Sequence, residues 1–98
     1  IGADADQFLA DTANGSVYLT TIMKDLGVSI IEATKNISDG TFAGGIYFAH
    51  LADGSIALAP FHDYSEIISD ELIAELEQIE LDIINGVIIV ESWNSLSQ

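Results

Sequence analysis

Asp4 and Asp6 stand at the end of an apolar-to-polar transition, Ile1-Gly2-Ala3-Asp4-Ala5-Asp6-Gln7. In open α/β sheets, ligands bind beyond the carboxyl ends of strands, so two carboxylates there are natural candidates for contact with a ligand. Lys24 is the next candidate. It is one of two cations set against sixteen acids, and it follows a β-branched, aromatic run at a strand-to-helix junction. A lysine in that place either donates hydrogen bonds to a ligand hydroxyl or carbonyl, pairs with Asp4, or sits in a weak surface ion pair. Lys35, in the middle of a helical pattern, reads as solvated.

Other chemistries fail on residue type or spacing. An EF-hand beginning at Asp4 would need a ligand where Phe8 stands, glycine where Leu9 stands and a bidentate acid where Gly15 stands. A paired-carboxylate hydrolase is weakened because alternate residues of an extended segment do not converge on one substrate bond from two sides. His50 lies in an apolar segment, and His62 neighbours Asp63 in sequence without any need to face it. A metal site from these two histidines and Asp63 is a remote reading. There is no G-x-S-x-G nucleophile context, and Gly44-Gly45 has no following helix to make it a phosphate loop. Without cysteine, thiolate metal sites, disulfides and Cys nucleophiles are excluded. Asn36-Ile37-Ser38 matches a glycosylation sequon at the end of a helix, a common accidental match. The expectation is a non-enzymatic chain with no cofactor and no metal.

The elements that position these residues follow from periodicity. The first seven residues read as the end of a buried strand, Phe8 to Ala13 as a turn of helix, and Asn14-Gly15-Ser16 as a turn. Val17 to Ile22 reads as a strand. Asp25 or Thr21 then caps a helix whose apolar face is Leu26, Ile30, Ala33 and Ile37, with Gly40 as its stop. Gly45 to Leu51 and Ser55 to Ala59 flank Asp53-Gly54, the signature of a β-hairpin. Pro60 to Ser65 is a loop. Ser69 caps a second helix with Asp70 and Glu71 in its first turn. Its buried stripe is expected to be Leu72, Leu76, Ile79 and Ile83, broadened by Ile73 and Ile84. Asn85-Gly86 ends it, Val87 to Val90 forms a last strand, and Glu91 to Gln98 is a polar tail. The class is mixed α/β.

Composition narrows the partners. The chain has 98 residues, 49% of them hydrophobic, and a formal net charge of -14. Its mean hydropathy of +0.37 rules out bulk disorder. Such acidity gives no grip on phosphate backbones or anionic lipid, so no nucleic acid or membrane surface is expected as a partner. No apolar run approaches membrane-spanning length. The chain begins at Ile1 without a basic leader, which reads as an excised piece or a processed chain. It is also more apolar than a domain of this size needs, since most of its residues must lie at the surface.

The order of the motifs carries a resemblance. Ile1-Gly-Ala-Asp-Ala-Asp-Gln7, Val17-Tyr-Leu-Thr-Thr-Ile-Met-Lys24, Asp39-Gly-Thr-Phe-Ala-Gly-Gly45, Ile56-Ala-Leu-Ala-Pro-Phe-His-Asp-Tyr64, Glu71-Leu-Ile-Ala-Glu-Leu-Glu77 and Ile83-Ile-Asn-Gly-Val-Ile-Ile-Val90 follow one another. The series resembles the C-terminal portion of the BMP family, the basic membrane lipoproteins that include purine nucleoside receptors of the PnrA type. These are substrate-binding proteins of ABC importers. The resemblance implies a fragment of a type I periplasmic-binding-protein fold, two α/β lobes closing on ligand, with a hinge-like strand near residues 19–23. It implies a nucleoside-like ligand held by Asp4 and Lys24, with Asp6 a third candidate. It also implies an ABC permease as partner of the longer parent and an extracytoplasmic location. The family chain is about three times as long, and its base-stacking aromatics have no counterpart here. Self-association is therefore expected of this piece alone. The alternatives are an interaction or oligomerisation module, or a signalling sensor on the same fold.

Overall fold

A computed structural model describes residues 1–91. The chain divides into two compact units, residues 1–67 and 68–98, and each is considered by itself. The first is a small mixed α/β unit built on a three-stranded sheet in the order β1-β2-β3, with β1 Gly2–Asp4, β2 Thr21–Lys24 and β3 Ile56–Leu58. β1 and β2 are parallel, with Gly2 opposite Thr21 and Asp4 opposite Met23. β3 runs antiparallel to β2, with Lys24 opposite Ile56 and Ile22 opposite Leu58. Parallel neighbours need a crossover, and here it holds the short helix α1 (Gln7–Ala10) and a 3₁₀ turn at Gly15–Val17.

Local chemistry explains the helix ends. Asp25, not Thr21, caps α2 (Leu26–Asp39), its carboxylate accepting from the Gly27 amide at 2.9 Å. Thr21 is withdrawn from capping because it lies inside β2 and is buried. Gly40 closes α2 at φ 72°, a conformation that costs glycine nothing. In the second unit, Ser69 caps α3 (Asp70–Ile84) by accepting from the Leu72 amide, with Asp70 and Glu71 in the first turn.

Three expectations are corrected. Residues 41–50 form no strand, so the hairpin is absent; β3 pairs with β2 instead. The Asp53 side chain is the reason. It accepts from the Ser55 amide at 2.8 Å, from the His50 amide at 3.3 Å and from the Tyr47 phenol at 2.8 Å, winding Leu51–Asp53 into a 3₁₀ turn that ends on Gly54 at φ 78°. A side chain that captures amides on both sides of itself competes directly with a two-residue hairpin. Second, Val87 to Val90 is not a strand. The amides of Val87 and Ile88 turn back onto the Asp82 carbonyl, closing the end of α3. Third, α3 does not bury its expected stripe, and the apolar face of α2 is uncovered as well: no residue of either helix is buried. Among the described residues the only buried hydrophobic side chain is Ala59, which leaves no core for the stripes to enter. The strand expected over Val17 to Ile22 is observed as Thr21–Lys24, starting four residues later and ending two later, because Gly15–Val17 winds into its 3₁₀ turn first. The polar tail lies outside the described residues beyond Glu91.

The Asp53 turn has a pH signature. The Ser55 hydroxyl, the Ser55 amide and the Tyr47 phenol hold its carboxyl well below the usual carboxylate range. Of these three, the Ser55 amide and the Tyr47 phenol meet hydrogen-bond geometry, each at 2.8 Å, whereas the buried Ser55 Oγ has no hydrogen-bond partner. A carboxyl depressed in the folded state contributes stability that is complete above its unfolded value, 3.8, and is lost as pH falls below it. Hydrogen exchange at the His50 and Ser55 amides is therefore expected to accelerate, relative to the intrinsic rate, as pH drops from about 5 to about 2. Asp53→Asn should show the faster exchange already at neutral pH. A turn equally protected across that range would contradict this account.

Candidate functional site

Asp4 ends β1 and Lys24 ends β2, so the parallel register delivers both to one edge of the sheet. Lys24 Nζ lies 3.2 Å from Asp4 Oδ1. Both side chains are more than half exposed, and such a pair contributes about 0–1 kcal/mol to stability. Its geometry therefore matters more than its energy. The ion pair holds one carboxylate oxygen against a lysine, and among the described residues no hydrogen bond uses the other oxygen. Lys24 keeps two further N–H donors.

The two residues overlook an open depression of about 270 Å³, lined by Asp4, Ala5, Met23, Lys24, Asp25 and Ser55 among others. Its floor is polar where β3 begins. Ser55 is 2% exposed, its backbone carbonyl accepts from the Asp25 amide at 2.7 Å, and its hydroxyl is unpartnered. The depression sits at the C-terminal ends of the parallel pair, the location a ligand would take in an open α/β sheet.

Asp4 adopts φ 78°. A non-glycine residue in the left-handed region costs about 1–3 kcal/mol and persists only where its surroundings enforce it. Here Gln7 supplies one restraint, its side-chain amide donating to the Ala3 carbonyl at 2.9 Å and its backbone amide donating to Thr21 Oγ1 at 3.2 Å.

Asp6 is placed differently from Asp4. One of its oxygens accepts from the Phe8 amide at 3.2 Å, which caps α1. The other lies 2.7 Å from His62 Nε2, and both side chains are mostly buried, 15% and 21% exposed. An ionised carboxylate can only accept, so the Nε2 nitrogen carries the proton in this contact. The His62 ring also stacks on Phe8, centroids 4.2 Å apart and planes inclined by 9°. Asp4 and Lys24 are thus brought together at the depression, and Asp6 faces His62.

His62 was legible in the sequence only as a neighbour of Asp63. Its partner stands 56 residues away, and no spacing rule links them. Ser55 likewise gave no signal. Among the described residues no cluster of His, Cys, Asp and Glu fits a metal ion. No helix among them is long and apolar enough to cross a membrane. Comparison with protein-family models, with curated proteins and with solved structures finds no match to this chain.

Proposed function

We propose that the chain is a ligand-binding portion of a BMP-type solute-binding lipoprotein of an ABC importer, built on a type I periplasmic-binding-protein fold and acting without catalysis outside the cytoplasm. The observation that carries this reading is the Asp4–Lys24 pair, 3.2 Å apart at the carboxyl edge of two parallel strands and open to a depression. A carboxylate with a free oxygen accepts hydrogen bonds from vicinal hydroxyls, while an ammonium group beside it donates to the same hydroxyls. That pattern suits the ribose of a nucleoside. The parallel register places both groups at one edge, so a ligand meets the acceptor and the donor side by side. The rest of the cleft, including the surface that recognises the base, belongs in this reading to a longer receptor. Hinge closure of two lobes would complete the enclosure.

Calorimetric titration with inosine and guanosine tests the reading. The longer receptor is expected to bind one of them, and the 98-residue chain weakly or not at all. Asp4→Ala in the receptor should lower affinity about 10- to 150-fold, the range set by losing a hydrogen bond to a charged group. A receptor that binds neither nucleoside, or whose affinity ignores Asp4→Ala, would defeat the proposal.

A further inference from the structure

We propose that His62 is the positioning residue of the Asp4 carboxylate, acting through Asp6; this rests on reading Asp4 as a ligand-holding group. Asp4 and Asp6 are separated by Ala5 alone, in the turn between β1 and α1. The turn is fastened on its sheet side by Gln7, which reaches Ala3 and Thr21. On its other side the fastening is the contact between Asp6 and His62.

His62 is well suited to hold its end. It takes φ 45°, an uncommon conformation for a residue with a side chain, in the segment that follows Pro60. Its own carbonyl accepts from the Ser65 hydroxyl at 2.6 Å. Two residues on, Tyr64 donates its phenol to the Ser16 carbonyl, tying the same segment to the crossover that carries α1. The ring is therefore fixed by the Phe8 stack and by the backbone on which it stands, before Asp6 is considered. Asp6 receives a rigid partner, and its two occupied oxygens fix the exit of the turn whose entry carries Asp4. Asp4, in left-handed backbone, is the residue caught between the two fastenings. A slack exit would let Asp4 relax to the β region and turn its carboxylate away from Lys24.

Two variants separate the hydrogen bond from the stacking. His62→Phe keeps an aromatic ring against Phe8 and loses the donor to Asp6. His62→Gln loses the ring and retains an N–H at nearly the reach of Nε2. Both substitutes carry a Cβ, so the strain at φ 45° is common to them. NMR of the ligand-free 98-residue chain reads the outcome. Expected for His62→Phe are displaced signals of the Asp4 amide, the Asp4 carboxyl carbon and the Lys24 side chain, with faster exchange of the Phe8 amide. His62→Gln should return these signals toward those of the unaltered chain. A purely structural role predicts no such rescue, because the stack is lost in His62→Gln.

If His62→Phe does not fold, Asp6→Ala reads the same coupling from the other end. It must displace both the His62 ring nitrogens and the Asp4 carboxyl carbon. Asp4 signals unmoved in Asp6→Ala, or identical in His62→Phe and His62→Gln, overturn the proposal. No nucleoside enters these samples, so positioning stands or falls separately from binding. Inosine retained by the longer receptor, with Asp4 unmoved by His62→Phe, would defeat positioning and leave the binding reading intact.

Discussion

Gly2→Ala is expected to destabilise the chain by about 1–3 kcal/mol, the range for forcing an extra carbon into an occupied space. A Cβ at Gly2 would lie 2.6 Å from Thr21 Oγ1, 2.6 Å from Gln7 Cγ and 2.9 Å from Gln7 Cβ. None of these atoms yields cheaply. Thr21 is 1% exposed, and its Oγ1 accepts the Gln7 amide. The Gln7 side chain is held at the Ala3 carbonyl. The clash must therefore push β1 away from β2, or break the bond between Gln7 and Thr21 and leave a polar group without its partner. The backbone bond from the Gly2 amide to the Thr20 carbonyl, 2.9 Å, opposes the first escape. Urea unfolding of Gly2→Ala beside Gly44→Ala measures the effect. A Cβ at Gly44 meets nothing within 4 Å, so that variant should be neutral or gain up to about 1 kcal/mol from a stiffer unfolded chain. Equal midpoints for the two would mean that the packing between β1 and α1 carries no such weight. Because the clash sits at the root of the turn that presents Asp4, Gly2→Ala should also disturb the Asp4–Lys24 pair.

The parts of this molecule that were legible in the sequence are those decided within a few residues. The cap of α3 at Ser69 and the glycine stops at Gly40 and Gly86 are local hydrogen-bonding problems with few solutions, and the observed bounds of α2 and α3 follow them. The juxtaposition of Asp4 and Lys24 stood in the sequence only as one alternative for Lys24, and the parallel pairing of β1 with β2 decides for it. Each ends an apolar run, and strand ends share an edge when strands pair in parallel.

What was not legible turned on competition between side chains and backbone, or on contacts between distant segments. Asp53-Gly54 satisfies the hairpin rule as written. The rule assumes that the aspartate serves only its own turn, whereas Asp53 also takes the His50 amide and the Tyr47 phenol. The amphipathic stripes were read correctly as periodic patterns, yet periodicity says which residues share a face and not that anything covers it. Leu26 is 70% exposed and Ile30 65%, on a helix whose ends were foreseen. The partnership of Asp6 with His62 lies beyond any reading of spacing, since Asp6 also satisfies every local requirement of an N-cap without it.

The exposed stripe of α2 leads to the second large effect. In solution the chain is expected to self-associate through α2, and to do so more strongly as salt is added. Leu26, Ile30, Ile31 and Ile37 all stand open to solvent. Covering a side chain of this kind contributes about 1.5–3 kcal/mol, so a few of them suffice to hold two copies together. The formal net charge of -14 works against this, because every pair of copies repels. The repulsion is uneven along the chain. α3 carries Asp70, Glu71, Glu75, Glu77, Glu80 and Asp82 with no base among them, whereas α2 sets Lys35 against Glu32 and Asp39. Two α2 faces can therefore meet at a lower electrostatic cost than two α3 faces. Screening decides how far the apolar gain prevails. At 0.1 M salt charges act over about 10 Å, and at 1 M over about 3 Å, while apolar contacts lose nothing. Light scattering should accordingly give a mass above 10.5 kDa that rises with sodium chloride. Ile30→Glu, which puts a charge into the middle of the stripe, should return the mass to that of a single chain. Glu77→Lys on α3 separates charge from contact: it reduces the net negative charge while leaving the sequence of α2 unchanged, and should shift the association to lower salt. A mass that stays at one chain throughout the salt series would show that α2 holds its apolar face in water unaided, and self-association would have to be abandoned as the fate of the surplus Ile and Leu.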